Sequence, residues 1–129
     1  LAFSLTTITS TQGPATSGGY AQAVEVAGAT RWLFVSGQIP LNSEGELSKG
    51  FEAQCRQTWT NIEAQLHAAG MAFGNLVKVT TFLSDRRYAA QNSKIRQEIL
   101  SGHSPALTVL IAGIYDDAWL LEIEAIAMS

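Results

Sequence analysis

The run FEAQCRQTWTNIEAQLHAAG, Phe51–Gly70, followed shortly by LVKVTTFL, Leu76–Leu83, decides the fold class. In the first run Phe51, Cys55, Trp59, Ile62 and Leu66 recur every three or four residues, while Glu52, Arg56, Thr60 and Glu63 fall elsewhere around the axis. That is the period of an amphipathic helix. Ser48 is placed to cap its start, His67 lies in the last turn, and Gly70 offers the left-handed conformation that ends many helices. In the second run polar and apolar residues alternate, which is the period of a strand. A helix feeding directly into a strand makes this an α+β chain.

Toward the N-terminus, Tyr20–Ala27 alternates like a strand, and Arg31–Gln38 is apolar with β-branched and aromatic residues. Gly28-Ala29-Thr30 punctuates between them, so the two read as a hairpin. Thr11–Gly19 is expected to be mobile, and Pro40–Gly45 is rich in turn formers. Toward the C-terminus, Ser84-Asp85 caps a second helix with Tyr88, Asn92, Ile95 and Ile99 along one stripe before Gly102. Leu107–Ile114 and Trp119–Ala127 flank Tyr115-Asp116-Asp117, a pattern expected for a closing hairpin.

Two helices cover only one face of such a sheet. Trp32–Val35 and Leu107–Ile111 are nevertheless apolar at consecutive positions, hence on both faces. No third helix remains to cover the second face, so another copy of the chain is the expected lid.

The chain has 129 residues, a formal charge of −3 and only 8 Lys and Arg, which fits one domain spanning 1–129. So few scattered cations make no basic stripe for nucleic acid. The longest apolar stretches fall far short of the roughly 20 residues of a membrane span. The first dozen residues show no charged segment followed by an apolar block, and the start without methionine reads as trimmed, so a cytoplasmic location is the expectation. Cys55 is the only cysteine, which excludes an intrachain disulfide and a thiolate zinc cluster, and it reads as a small buried core residue.

Five segments in order carry a resemblance: Ser36-Gly37-Gln38-Ile39-Pro40, Ala53-Gln54-Cys55-Arg56-Gln57, Ala68-Ala69-Gly70, Val77–Leu83 and Glu122-Ile123-Glu124-Ala125-Ile126-Ala127. From about Tyr20 to Ala127 the chain resembles the YjgF/RidA family, the reactive intermediate deaminases. The resemblance implies a chorismate-mutase-like α+β fold, with about six strands in a mixed sheet and two helices packed on one face. It also implies a homotrimer with an inner β-barrel and ligand clefts between subunits. Deaminating members hydrolyse the C=N bond of 2-imino or enamine acids to a 2-keto acid and ammonia, with no cofactor or metal.

Carried over by the resemblance, Tyr20 is the cleft tyrosine and Gly37, beside Ser36, is the glycine whose backbone approaches the ligand. Glu122 is the carboxylate that positions the attacking water, a role open to a carboxylate because it can orient water and relay a proton. Glu124 reads as its outward neighbour on the strand. The departure lies at Pro105-Ala106, where the family places an arginine next and this chain has Leu107, then Thr108 and Val109. Arginine offers a planar fork and a permanent charge, and leucine offers neither. Leaving a buried carboxylate unpaired costs about 3 to 5 kcal/mol. The family's glycine-proline ahead of the tyrosine also reads Gly18-Gly19 here.

His103, in the loop before Pro105, is the substitute cation or proton carrier the sequence offers, although beside Gly102 and Ser104 it reads as solvent-exposed. Arg31, Arg86, Arg87 and Arg96 read as ordinary surface charges. The expectation is a Rid-family trimer that binds or transforms a small metabolite, less anionic or more apolar than an imino acid, in intersubunit clefts. The alternatives are an imine or enamine hydrolase with a substitute anchor, an RNA-cleaving or translation-inhibiting protein, which the acidic balance disfavours, and a purely structural interaction protein.

Overall fold

A computed structural model describes residues 1–129. Helix α1 spans Phe51–Ala68 and buries Phe51, Cys55, Trp59, Ile62 and Leu66, the stripe read from the sequence, together with Gln54 and Thr58. Each large apolar side chain so buried contributes about 1.5–3 kcal/mol. The start of α1 corrects the sequence reading. Its N-cap is Gly50 at φ 83, with no side-chain cap, and the Ser48 carbonyl instead accepts from the Gln54 amide at 3.2 Å. At its far end Gly70 takes φ 71, Met71 N–H reaches the Leu66 carbonyl at 2.8 Å, and Gly70 N–H reaches His67 at 2.9 Å. This paired closure is the Schellman motif, and it depends on the left-handed glycine.

Strands β1 (Ser4–Ile8) and β2 (Ala23–Ala27) form a two-stranded antiparallel sheet. Strand β1 is not anticipated by the sequence reading. The second sheet has the order β3-β6-β4-β5, with β3 at Trp32–Gln38, β4 at Leu76–Leu83, β5 at Ala106–Ile111 and β6 at Leu121–Met128. Six strands are therefore present, but divided between two sheets, with only β4 and β5 parallel.

Two expected hairpins do not form. Strand β2 pairs with β1, and β3 pairs with β6, because Thr30 and Arg31 donate their N–H groups to the Ser129 carbonyl at 2.9 and 3.0 Å. The end of the chain captures β3 in place of β2. Strands β5 and β6 are likewise separated by β4, which pairs with both. Residues 112–120 cross the end of β4: Ala112 N–H bonds the Leu83 carbonyl at 2.9 Å and Ser84 N–H bonds Leu120 at 3.0 Å. A connection of that length can pass a strand, which a tight turn cannot.

Asp85 caps a short 3-10 turn by accepting from Arg87 N–H at 2.9 Å, and α2 (Ala89–Leu100) follows. Helix α2 links the parallel strands β4 and β5 as a crossover, and it packs beside α1. The helical layer covers one face of the larger sheet, where Val79, Leu83, Leu121, Ile123 and Ala125 are buried with α1. On the opposite face Trp32 and Phe34 are 62% and 69% exposed, and Phe34 lies opposite Ile126 in the register. No helix of the chain is long and apolar enough to cross a membrane.

Candidate functional site

The backbone at Ala21 brings the N-terminal loop to the start of β5. Ala21 N–H donates to the Pro105 carbonyl at 3.0 Å, and Ala21 bridges Ala106 in parallel. This tie sets Tyr20 beside Leu107. Helix α2 closes the other side with Asn92, Ser93 and Arg96, and the space between is a groove of about 380 Å3 that Ser17, Gln22 and Val109 also line. Leu107 and Val109 lie opposite Val79 and Thr81 in the β4–β5 register, so both point to the helical side of the sheet.

The loop reaches the groove by a route that a glycine-proline pair could not follow. Gly19 has φ 74, against the side chain of Gln97, whereas proline is held near −65°.

Arg96 corrects the sequence reading. It is not a surface charge: it is 3% exposed, its Nη2 donates only to Ser93 Oγ at 3.3 Å, and its Nε has no partner. Burial pulls its pKa below the ordinary value, opposed by Tyr20 and then by Cys55. The guanidinium stays charged at neutral pH even so. The sequence did carry a signal. Asn92 stands on the buried stripe, and a residue four positions on shares that face.

Gly37 and Glu122 form a second cluster. The β3–β6 register shifts between Val35 and Gln38, an irregularity that sets Ser36 and Gly37 beside β6. A Cβ on Gly37 would stand 2.8 Å from the carboxyl carbon of Glu122 and closer still to Oε2, so the carboxylate rests directly on the glycine backbone. Glu122 lies opposite Phe82, and Leu121 and Ile123 on either side of it are buried under the helices. Alternation therefore turns Glu122 to the uncovered face. Ser36 and Glu124 are exposed, and Thr108 accepts from Lys78 Nζ at 2.7 Å.

Within one protomer the structure thus brings Tyr20, Leu107 and Val109 together on the helical side, and Gly37 and Glu122 together on the other. His103 joins neither cluster. It is half-buried, with Nε2 at 2.7 Å from the Leu76 carbonyl, where it ties the α2–β5 loop to the start of β4. No group of three or more His, Cys, Asp or Glu side chains converges as a metal site would require.

These features define a class: an α+β domain with one helix-covered sheet face, a small polar-and-apolar groove at the edge of that sheet, and the Glu122 carboxylate seated on Gly37 on the bare face. The family model described as Endoribonuclease L-PSP matches residues 10–129, and the chain belongs to this family, YjgF/RidA. It is 36% identical over 116 residues to a RutC family protein of Pyrococcus horikoshii, covering 88% of this chain and 90% of the relative. It is 35% identical over 127 residues to the 2-iminobutanoate/2-iminopropanoate deaminase of Escherichia coli, covering 95% and 96% of the two chains. Among solved structures it is similar to E. coli TdcF with bound serine, with a TM-score of 0.72, 29% identity and coverage of 96% and 98%. A Rid family protein of Yersinia pestis, YyfB, has the same fold with a TM-score of 0.83 at 24% identity, covering 97% and 98%.

Proposed function

We propose that this chain is a Rid-type protein that assembles as a homotrimer and binds or transforms a small metabolite in grooves completed between subunits. We also propose that it handles the 2-imino acids of its deaminase relatives poorly. The observation that carries this reading is the wall of the Tyr20 groove, where β5 presents Leu107 and Val109 and no donor for a carboxylate. The opposed placement of the two clusters supports the shared groove. If Glu122 and the Tyr20–Leu107 wall serve one ligand, two protomers must contribute, because each protomer holds them on opposite faces of its sheet. TdcF with bound serine supports a ligand of similar size. In such a groove Glu122 would orient a water toward an electrophilic carbon, with its carboxylate held over Gly37.

A second reading, an imine or enamine hydrolase with a substitute anchor, is favoured by one observation, the buried Arg96. A single experiment separates the two. Ammonia release is measured from freshly generated 2-iminobutanoate with the native protein and with Leu107→Arg. The first reading expects the native protein to stay within about two-fold of buffer and Leu107→Arg to rise at least about ten-fold above it. Fast release by the native protein, abolished in Glu122→Gln, would establish the second reading in its place.

A further inference from the structure

Every ion pair of this chain is made elsewhere. Arg56 pairs with Glu52 and Glu98, His67 with Glu63, and Arg87 with Asp85. Arg96 is the buried cation without one. A guanidinium has five N–H donors, and here one of them meets a serine hydroxyl while Nε meets nothing. Charges buried this deeply are ordinarily paired, since desolvation without a counter-ion is among the most costly states a side chain can occupy. No Asp or Glu lines the groove, so this chain's own groove offers the guanidinium no counter-charge.

The surroundings restrict what that acceptor can be. Tyr20, Asn92 and Ser93 offer hydrogen-bonding groups close to Arg96, while Leu107 and Val109 across the groove offer only hydrocarbon. A space of about 380 Å3 lies at the small end of ligand cavities. One anionic end and one short apolar body fit both the chemistry and the size.

We propose that Arg96 is the anion anchor of this groove, and that the ligand is a small monocarboxylate whose acid group is gripped from helix α2 while its aliphatic body lies on Leu107 and Val109. This rests on the small-molecule groove proposed above and changes its expected ligand, since the sequence alone pointed to a less anionic one. The cation has moved from strand to helix. Affinity for acids and turnover of 2-imino acids therefore become separate properties, because an acid held from α2 is aimed differently from one held from β5.

The test is calorimetric titration of the assembled protein with butanoate, 2-oxobutanoate and the neutral butanamide, repeated on Arg96→Gln and Arg96→Lys. The native protein is expected to bind the acids at least about ten-fold more tightly than the amide. Arg96→Gln is expected to bring that preference within about two-fold, and Arg96→Lys, which keeps the charge without the fork, to retain part of it. Melting and sedimentation of each variant accompany the titrations, and Arg96→Lys carries the test should Arg96→Gln fail to fold.

Equal binding of acid and amide by the native protein overturns the anchor and leaves the groove reading standing. Binding of neither at up to about 10 mM overturns both. An Arg96→Gln protein that keeps its acid preference overturns the anchor. If that variant also falls apart into protomers, Arg96 serves the contact between copies and not a ligand.

Discussion

Cys55 shows how one buried residue couples the core to the groove. Its thiol meets Asn92 Oδ1 at 3.9 Å, and Asn92 in turn lines the groove next to Arg96. The Cys55 pKa is raised from 9.0 to about 12, first by burial, with Arg56 and Arg96 pulling the other way. A raised pKa means that the folded state holds the proton more tightly than the unfolded chain. The resulting stabilisation is fully present below 9.0 and is lost as pH climbs toward about 12. Native protein at about pH 8 should therefore resist iodoacetamide until it is unfolded, and its denaturation midpoint should fall on the alkaline side. In Cys55→Ala that alkaline fall should be shallower; rapid alkylation of the native thiol would count against the burial. Gly37 makes a comparable point, since its lack of a side chain, legible as a family feature, has its physical reason only in the Glu122 carboxylate resting on it.

Among the elements, α1 is both core and clamp. Gln54 is buried within its apolar stripe. Its amide donates to the carbonyls of Ser48 and Ala118 at 3.2 and 3.1 Å, and its Oε1 accepts from Leu120 N–H at 2.8 Å. One side chain thus fastens the segment before α1 to the segment entering β6. Gln54→Ala leaves those backbone groups unpaired and should cost about 2–4 kcal/mol, read as a lower urea midpoint with an unchanged slope. A loss under about 0.5 kcal/mol would mean that water replaces the amide. The apolar period of α1 was plain in the sequence. The clamp was not, because a glutamine on that stripe looks the same whether it faces solvent or two distant carbonyls. For the same reason neither hairpin expected from the sequence forms: strand character is local, but pairing partners are chosen by Ser129 and by β4, far along the chain.

At the scale of the whole molecule, the larger sheet keeps one apolar face uncovered. Trp32 and Phe34 stand on it more than half exposed, next to Ile126 and Met128 in register. An apolar surface of that kind is unfavourable in water and is removed by association. Sedimentation of the native protein should therefore give a mass about three times 13.8 kDa, and Phe34→Glu with Trp32→Glu should give the single-chain mass while keeping the native circular dichroism. A native protein sedimenting as a single chain would remove the shared groove along with the trimer. The α+β class and the apolar stripe of α1 were legible in the sequence alone, because each follows from side-chain type at a local period. Tertiary structure alone decided that β4 lies between β5 and β6, that Glu122 and Leu107 face opposite ways, and that Arg96 is buried at the groove. Those depend on which distant segments meet, and desolvation, which turns an ordinary arginine into an unpaired buried charge, exists only once they have met.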